Sequence, residues 1–151
     1  MSTEADEIYY QLEYRHGVDD KRRVSIPAGW RSVAEDQNIF YVFLWDKGGR
    51  PPCLMVLPPA RMRDLMERLR TLSFADDESE SLRRLLARSA KVAADKAGRI
   101  CLPEQLAKAA DLGSEVIMKG LMDRFQIWNP DHYEKIKVID EYLKDRALKL
   151  I

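Results

Sequence analysis

Residues 9–18, YYQLEYRHGV, mix aromatic and polar residues in a pattern that predicts a strand. The polar residues 19–22 read as a turn and residues 23–26, RVSI, as a short return strand. Pro27 ends that strand because it has no N–H to give to a ladder. Proline suits the first turn of a helix, so residues 28–33 are expected as a short helix. Two apolar runs, IFYVFLW at 39–45 and CLMVL at 53–57, predict a hairpin closed by the Gly- and Pro-rich loop 46–52. After Pro58 and Pro59, the residues Met62, Leu65, Met66, Leu69 and Leu72 recur at helical spacing and give one apolar face. The acidic run 76–80 supplies N-cap and first-turn residues for another helix. That helix carries Leu82, Leu85, Leu86 and Ser89 on one side, with Arg83, Arg84 and Arg88 outside it.

The pattern then repeats. Asp19, Arg23 and Pro27 stand 76 positions before Asp95, Arg99 and Pro103, and both copies read Asp, three residues, Arg, apolar, small, apolar, Pro. Farther on, LMVLPP at 54–59 matches FQIWNP at 125–130 with an offset of 71, so the second copy has lost five residues from the loop. The second copy therefore predicts a turn and strand up to Pro103, a short helix to Asp111 closed by Gly113, and strands at 115–118 and 124–128. A terminal helix starts at Asn129, with Tyr133, Ile136, Ile139, Leu143, Ala147 and Leu150 on a stripe and charges of alternating sign elsewhere. The chain divides into one repeat at 9–75 and a second unit at 76–151, made of the linker helix, the second repeat and the C-terminal helix. The fold class is α+β.

Composition sharpens this. A chain of 151 residues with 46% hydrophobic and 33% charged residues suits a folded protein of one domain or two small ones. The 25 basic and 25 acidic residues cancel, so any basic surface has to be local. Cys53 and Cys101 sit in separate apolar runs, which predicts two reduced, buried thiols in a cytoplasmic protein. The acidic start MSTEADEIYY does not resemble a leader, and no run approaches the ~18 apolar residues of a membrane span.

Chemistry concentrates in the two Asp-to-Arg turns, read as DDKRR and DKAGR. Structurally, such an aspartate caps the turn and pairs with its arginine, an exposed pair worth ~0–1 kcal/mol. An exposed turn kept twice with the same charged residues is more than capping requires. Lys21, Arg22, Arg23, Lys96 and Arg99 form local basic points able to meet phosphates or base edges.

DDKRRVSIP and DKAGRICLP, the aromatic-rich strands after them and the tandem arrangement resemble the MraZ family, over residues 9–133. The halves of that family in turn resemble the swapped-hairpin domains of the AbrB group of bacterial DNA-binding regulators. The resemblance implies two tandem AbrB-like repeats of β-barrel type. It also implies a sequence-specific transcriptional regulator, normally a repressor of the division and cell-wall gene cluster, bound to short direct repeats in promoter double-stranded DNA. A ring-shaped homo-oligomer, cytoplasmic and nucleoid-associated, is implied as well; no cofactor, metal site or membrane partner is assigned. By that analogy Arg23 and Arg99 contact DNA, Asp19 and Asp95 orient them, and Arg15, Lys21, Arg22 and Lys96 complete the DNA-binding set. The family usually has Gly before the motif arginine. Gly98 keeps it, but the first copy has Arg22, which predicts a different turn or some strain there.

Two rivals come from other classes. An enzyme would have to use His16 or His132, which lie in no recognisable catalytic motif, and no catalytic residue is assigned. An AbrB-like antitoxin or protein-binding module would have one hairpin copy and a disordered tail, whereas here the second copy is complete and the tail is an amphipathic helix.

Overall fold

In a computed structural model that describes residues 7–34 and 38–151, the elements follow the order of the sequence pattern. They are β1 (Glu13–Gly17), β2 (Arg23–Ser25), a 3-10 turn (Ala28–Trp30), β3 (Ile39–Trp45), β4 (Cys53–Leu57), α1 (Pro59–Thr71) and α2 (Asp77–Ala87). Then come β5 (Ala90–Ala93), β6 (Arg99–Cys101), α3 (Glu104–Ala109), β7 (Glu115–Gly120), β8 (Phe125–Trp128) and α4 (Pro130–Leu148). Residues 1–6, which carry much of the acidic start, lie outside the described residues.

The halves of the chain exchange strands. A six-stranded antiparallel sheet runs β1-β7-β8-β4-β3-β5, and β2 pairs with β6 in a separate two-stranded ribbon. Thus β1 of the first half lies on β7 of the second, while β5 of the second lies on β3 of the first. Gly17 faces Glu115 and Ala93 faces Ile39, so the two cross-half pairs share one register under the repeat offset. At the sheet centre Met55 faces Gln126, and in the ribbon Val24 faces Ile100. Each of these two pairs joins repeat-equivalent residues, so they mark an approximate two-fold axis through sheet and ribbon.

Alternation along the strands sends side chains to two cores. Between sheet and ribbon lie Val24, Ile26, Phe40, Val42, Leu54, Val56, Ile100, Leu102, Val116, Met118, Phe125 and Ile127, with Tyr10 and Trp30. The Trp30 and Phe125 rings are 4.8 Å apart, and the Trp30 indole N–H donates to the Gln11 carbonyl at 3.1 Å. On the opposite face Phe43, Met55 and Leu57 pack against Met62 of α1, and Ile117 and Trp128 pack against Tyr133 of α4. Asp76 caps α2 by accepting from the Glu78 N–H at 3.0 Å, as its acidic start predicts. Among the described residues no helix is long and apolar enough to cross a membrane.

Several expectations need correction. The barrel-type repeats are not found: the sheet is open, with β1 and β5 as its edges. Pairing of β4 with β8 across the axis continues one hairpin into the other, so neither half closes on itself. The helix expected at 28–33 is only the three-residue 3-10 turn, because Arg31 returns to extended backbone at φ −95° and ψ 136°. There Trp30 enters the core and the side chain of Asn38 bonds both the N–H and the carbonyl of Ser32, which holds the chain extended. The strand expected at 9–18 is regular only over Glu13–Gly17. Leu12 breaks it at φ 68°, and Tyr10 instead exchanges two 2.7 Å backbone hydrogen bonds with Met122. After α3, Asp111 rather than Gly113 takes the left-handed φ, at 56°. The α4 stripe is used only in part: Tyr133 is buried and Ile136 half-buried, but Leu143 and Leu150 are exposed. At ~1.5 Å per residue the helix outruns the strands it crosses.

Gly120 sits where the Tyr10 backbone crosses β7. A Cβ there would lie 2.4 Å from the Tyr10 carbonyl oxygen, and that neighbour is main chain held by its own hydrogen bonds. Gly120→Ala is expected to lower stability by ~1–3 kcal/mol, the range for overpacked cores. Gly113→Ala, with nothing within 4 Å of its added Cβ, should stay within ~0.5 kcal/mol. Urea denaturation of both variants checks the pair, and equal midpoints would refute the close approach.

Candidate nucleic-acid interface

Each Asp-to-Arg turn is organised by its carboxylate. Aspartate folds back on the backbone two residues on and favours such turns. In the first tip Asp19 Oδ1 accepts from the Lys21 N–H at 2.9 Å and the Arg23 N–H at 2.8 Å, and Oδ2 accepts from Arg23 Nε at 2.6 Å. In the second, Asp95 Oδ1 accepts from the Ala97 and Arg99 N–H groups, each at 2.9 Å, and Oδ2 accepts from Arg99 Nε at 3.0 Å. The main chain matches too: the Arg22 N–H donates to the Asp19 carbonyl at 3.0 Å and the Gly98 N–H to the Asp95 carbonyl at 2.9 Å.

The fourth residue of each tip is left-handed, Arg22 at φ 61° and Gly98 at φ 79°. The substitution of Arg for Gly therefore does not change the turn. It places a non-glycine residue in a region that costs ~1–2 kcal/mol. Contacts with the other half offset this, since the Arg22 carbonyl accepts from the Leu102 N–H at 2.9 Å and Arg22 Nε donates to the Leu102 carbonyl at 3.1 Å.

Electrostatics follow the hydrogen bonds. The Arg23 backbone N–H, aided by the Arg23 side chain and the Lys21 N–H, holds the Asp19 carboxyl below its ordinary value of 3.8. The Arg99 backbone N–H, with its side chain and the Ala97 N–H, does the same for Asp95. Arg23 is in turn held charged by its hydrogen bond to Asp19.

In the ribbon Val24 and Ile100 point into the core, so Arg23, Ser25, Arg99 and Cys101 share its outer side. Arg23 and Arg99 occupy opposite ends of this short face. They are about one-third exposed, 33% and 35%, because each lies along its own aspartate. Lys21 and Lys96 are exposed at the two tips but are not equivalent: Lys21 corresponds to Ala97 and Lys96 to Asp20. Each tip still nets one positive charge. Arg15 stands apart from this group, on the exposed side of edge strand β1 and salt-bridged to Glu115. The buried-thiol expectation holds for Cys53 only. Alternation turns Cys101 outward, where its thiol donates to the Lys21 carbonyl at 3.3 Å. His16 lies beside Tyr14 in β1, and His132 lies beside Asp111 at the start of α4.

One residue at this site escapes single-copy reading. Arg31 donates from Nε to the Ile26 carbonyl at 2.7 Å, and its guanidinium lies over Gly98. Aligning the two copies would have flagged it, since the equivalent position holds Ala107.

An antiparallel ribbon with a guanidinium at each end, backed by an open sheet and helices, defines a pseudo-symmetric α+β module with a cationic edge. The family model that matches residues 85–142 is described as "MraZ protein, putative antitoxin-like". The chain is 33% identical over 125 residues to the transcriptional regulator MraZ of Roseiflexus sp. (strain RS-1), covering 82% of this chain and 83% of that protein. It is 31% identical to that of Thermomicrobium roseum, over 80% of this chain and 81% of the relative. To that of Carboxydothermus hydrogenoformans it is 33% identical, over 79% and 80%. The chain belongs to the MraZ family.

Because both tip carboxylates have folded pKa values below the ordinary 3.8, their contribution to stability is complete above that pH and is lost as pH falls through the depressed values. Carboxyl-carbon NMR titration should place Asp19 and Asp95 below 3.8. A midpoint at or above it would refute the shared hydrogen-bond set.

Proposed function

We propose that this protein is a DNA-binding transcriptional regulator that reads duplex DNA with the β2·β6 ribbon. The observation that carries the reading is the Asp-Arg turn built twice with the same bonds at the two ends of one ribbon. A two-stranded ribbon has the width to enter a major groove, and an arginine there donates two bonds to guanine O6 and N7. Asp19 and Asp95 take Nε of their arginines, and Asp95 also lies 3.0 Å from Arg99 Nη2, which fixes each guanidinium plane and leaves its remaining outer N–H groups for a base edge. Lys21 and Lys96 suit phosphate contact, with Arg22 beside them. Arg15, on β1 and paired to Glu115, falls outside this set.

The same reading takes residues 9–75 and 76–151 as AbrB-like repeats whose hairpins are swapped about the approximate axis, supported by the cross-half registers. It takes the sites as short direct repeats, met by successive subunits of a closed homo-oligomeric ring at the nucleoid. Repetition of a small cationic tip around a ring gives avidity to a chain with no net charge. Exposed Val138, Tyr142, Leu143 and Leu148 on the overhanging end of α4 support self-association. The same surface would serve the antitoxin or protein-binding reading, in which the end of α4 captures a different protein.

The first test is binding to a duplex selected from a random-sequence pool by the wild-type protein. Arg23→Ala and Arg99→Ala should each weaken it by at least about tenfold, the low end for losing a bidentate base contact. Asp19→Asn and Asp95→Asn should lose less. The logarithm of affinity should fall with the logarithm of salt at about −0.9 per neutralised phosphate. Unchanged affinity of both arginine variants, or no salt dependence, would refute the assignment. Light scattering checks assembly separately: a multiple of 17.5 kDa is expected, and a monomer at micromolar concentration would remove the ring.

A further inference from the structure

Beyond the Asp20/Lys96 and Lys21/Ala97 differences, the two tips differ by an exchange of an arginine between two positions. At the left-handed corner the first half has Arg22 and the second has Gly98. Four residues after the strand-ending proline, the first half has Arg31 and the second has Ala107. Either arrangement puts one guanidinium in an equivalent place. Arg31 Nε donates to the carbonyl of Ile26 at 2.7 Å, and Arg22 Nε donates to the carbonyl of Leu102 at 3.1 Å. Ile26 and Leu102 are equivalent, each immediately before its proline. Each also donates its own N–H to the opposite corner, Ile26 to the Gly98 carbonyl at 2.8 Å and Leu102 to the Arg22 carbonyl at 2.9 Å. A Cβ on Gly98 would lie 2.4 Å from Arg31 Cζ and 2.5 Å from its Nε. The space that the first tip fills with its own side chain is filled at the second tip by an arginine from another segment.

We infer that Arg31 is a positioning residue for the second tip, seating the Gly98 corner so that Arg99 is presented to DNA, as Arg22 does for its own tip. This rests on the ribbon reading of DNA given above. The path is a short run of named bonds. Arg31 holds the Ile26 carbonyl, the Ile26 N–H holds the Gly98 carbonyl, and the Gly98 N–H holds Asp95, whose carboxylate takes both the N–H and Nε of Arg99. The exchange also evens the number of cations. With Arg31, the second tip has Lys96, Arg99 and Arg31, against Lys21, Arg22 and Arg23 at the first, where Asp20 adds a second acid.

The experiment is a rescue cycle on the selected duplex, measured well below the melting temperature of every variant. Arg31→Ala should weaken selective binding by about tenfold, as for a charge-assisted hydrogen bond removed from a preorganised site. Gly98→Ala should lose a similar factor, because its Cβ evicts the guanidinium without replacing it. The double variant carrying both should lose no more than about the larger single loss, since one contact is being removed twice. Arg31→Ala combined with Gly98→Arg, which copies the first tip, should recover to within about threefold of wild type. A support role that is merely structural predicts no such recovery, because adding a bulky residue at a left-handed corner would add to the damage. Wild-type affinity in Arg31→Ala, or a Gly98→Arg double as weak as Arg31→Ala alone, overturns the inference. If the wild-type protein itself shows no preference for the selected duplex over a scrambled one, the DNA reading fails. The clamp is then judged in the free protein by exchange of the Gly98 and Arg99 amides, which Arg31→Ala should speed and Gly98→Arg should restore; exchange unchanged in Arg31→Ala overturns the clamp as well.

Discussion

Antiparallel pairing across the approximate two-fold axis is the constraint on which the rest of the molecule depends. Where β4 meets β8, the buried residues Leu54 and Val56 of one half lie beside Phe125 and Ile127 of the other. Where β2 meets β6, Val24 and Ile100 close the far side of the same core. Neither half can bury its apolar face alone, because half of what covers it comes from the other copy. The pairing also fixes which side chains the ribbon presents outward. Once Val24 and Ile100 point inward, strict alternation leaves Arg23 and Arg99 nowhere to go but outward, at opposite ends of one ribbon.

This explains why so much of the local structure was legible and the global arrangement was not. Local signals are short-range: the two apolar runs became β3 and β4 at the expected bounds, and Asp76 capped α2. The repeat also foretold that the two tips would resemble each other, and they do so bond by bond. Which copy a strand pairs with is not written in its periodicity, since β1 alternates in the same way whether β7 or β3 lies beside it. The open sheet in place of a barrel follows from that partner choice. The failures at Leu12 and at residues 28–33 have a different origin. There, the long-range pairing of Tyr10 with Met122, and the burial of Trp30 with the bonds of Asn38 to Ser32 six residues before it, override what the local sequence favours.

At the site itself, residue identities were legible and their engagement was not. Spacing marked Asp19, Arg23, Asp95 and Arg99, and the aspartates do hold the arginines. An exposed arginine on a turn reads as free in sequence, yet these are two-thirds covered because each lies along its carboxylate. Arg22 reads as an added outward charge. Its Nε in fact turns back onto Leu102, because the left-handed corner brings the side chain over the other half's backbone. Cys101 misled for the reason that betrays many short strands: in ICLP a single polar-facing position sits between two buried ones, and three residues are too few to show alternation.

A chain with no net charge can still carry a cationic edge, because charge acts through its local arrangement. The Debye length at physiological salt is about 8 Å, so acids on α4 or α2 do little to cancel a guanidinium held on the ribbon. What matters at each tip is the single acid placed against each arginine. Asp19 and Asp95 neutralise part of the charge they orient, which looks wasteful for attracting phosphates. It is the arrangement expected where direction counts for more than attraction: a fixed fork distinguishes one base edge from another, whereas a free cation finds any phosphate. The exposed lysines, Lys21 and Lys96, have no such partner among the described residues and suit the undirected contact. Under the proposed reading, the ribbon separates the two kinds of work by residue type, held arginines for direction and exposed lysines for attraction.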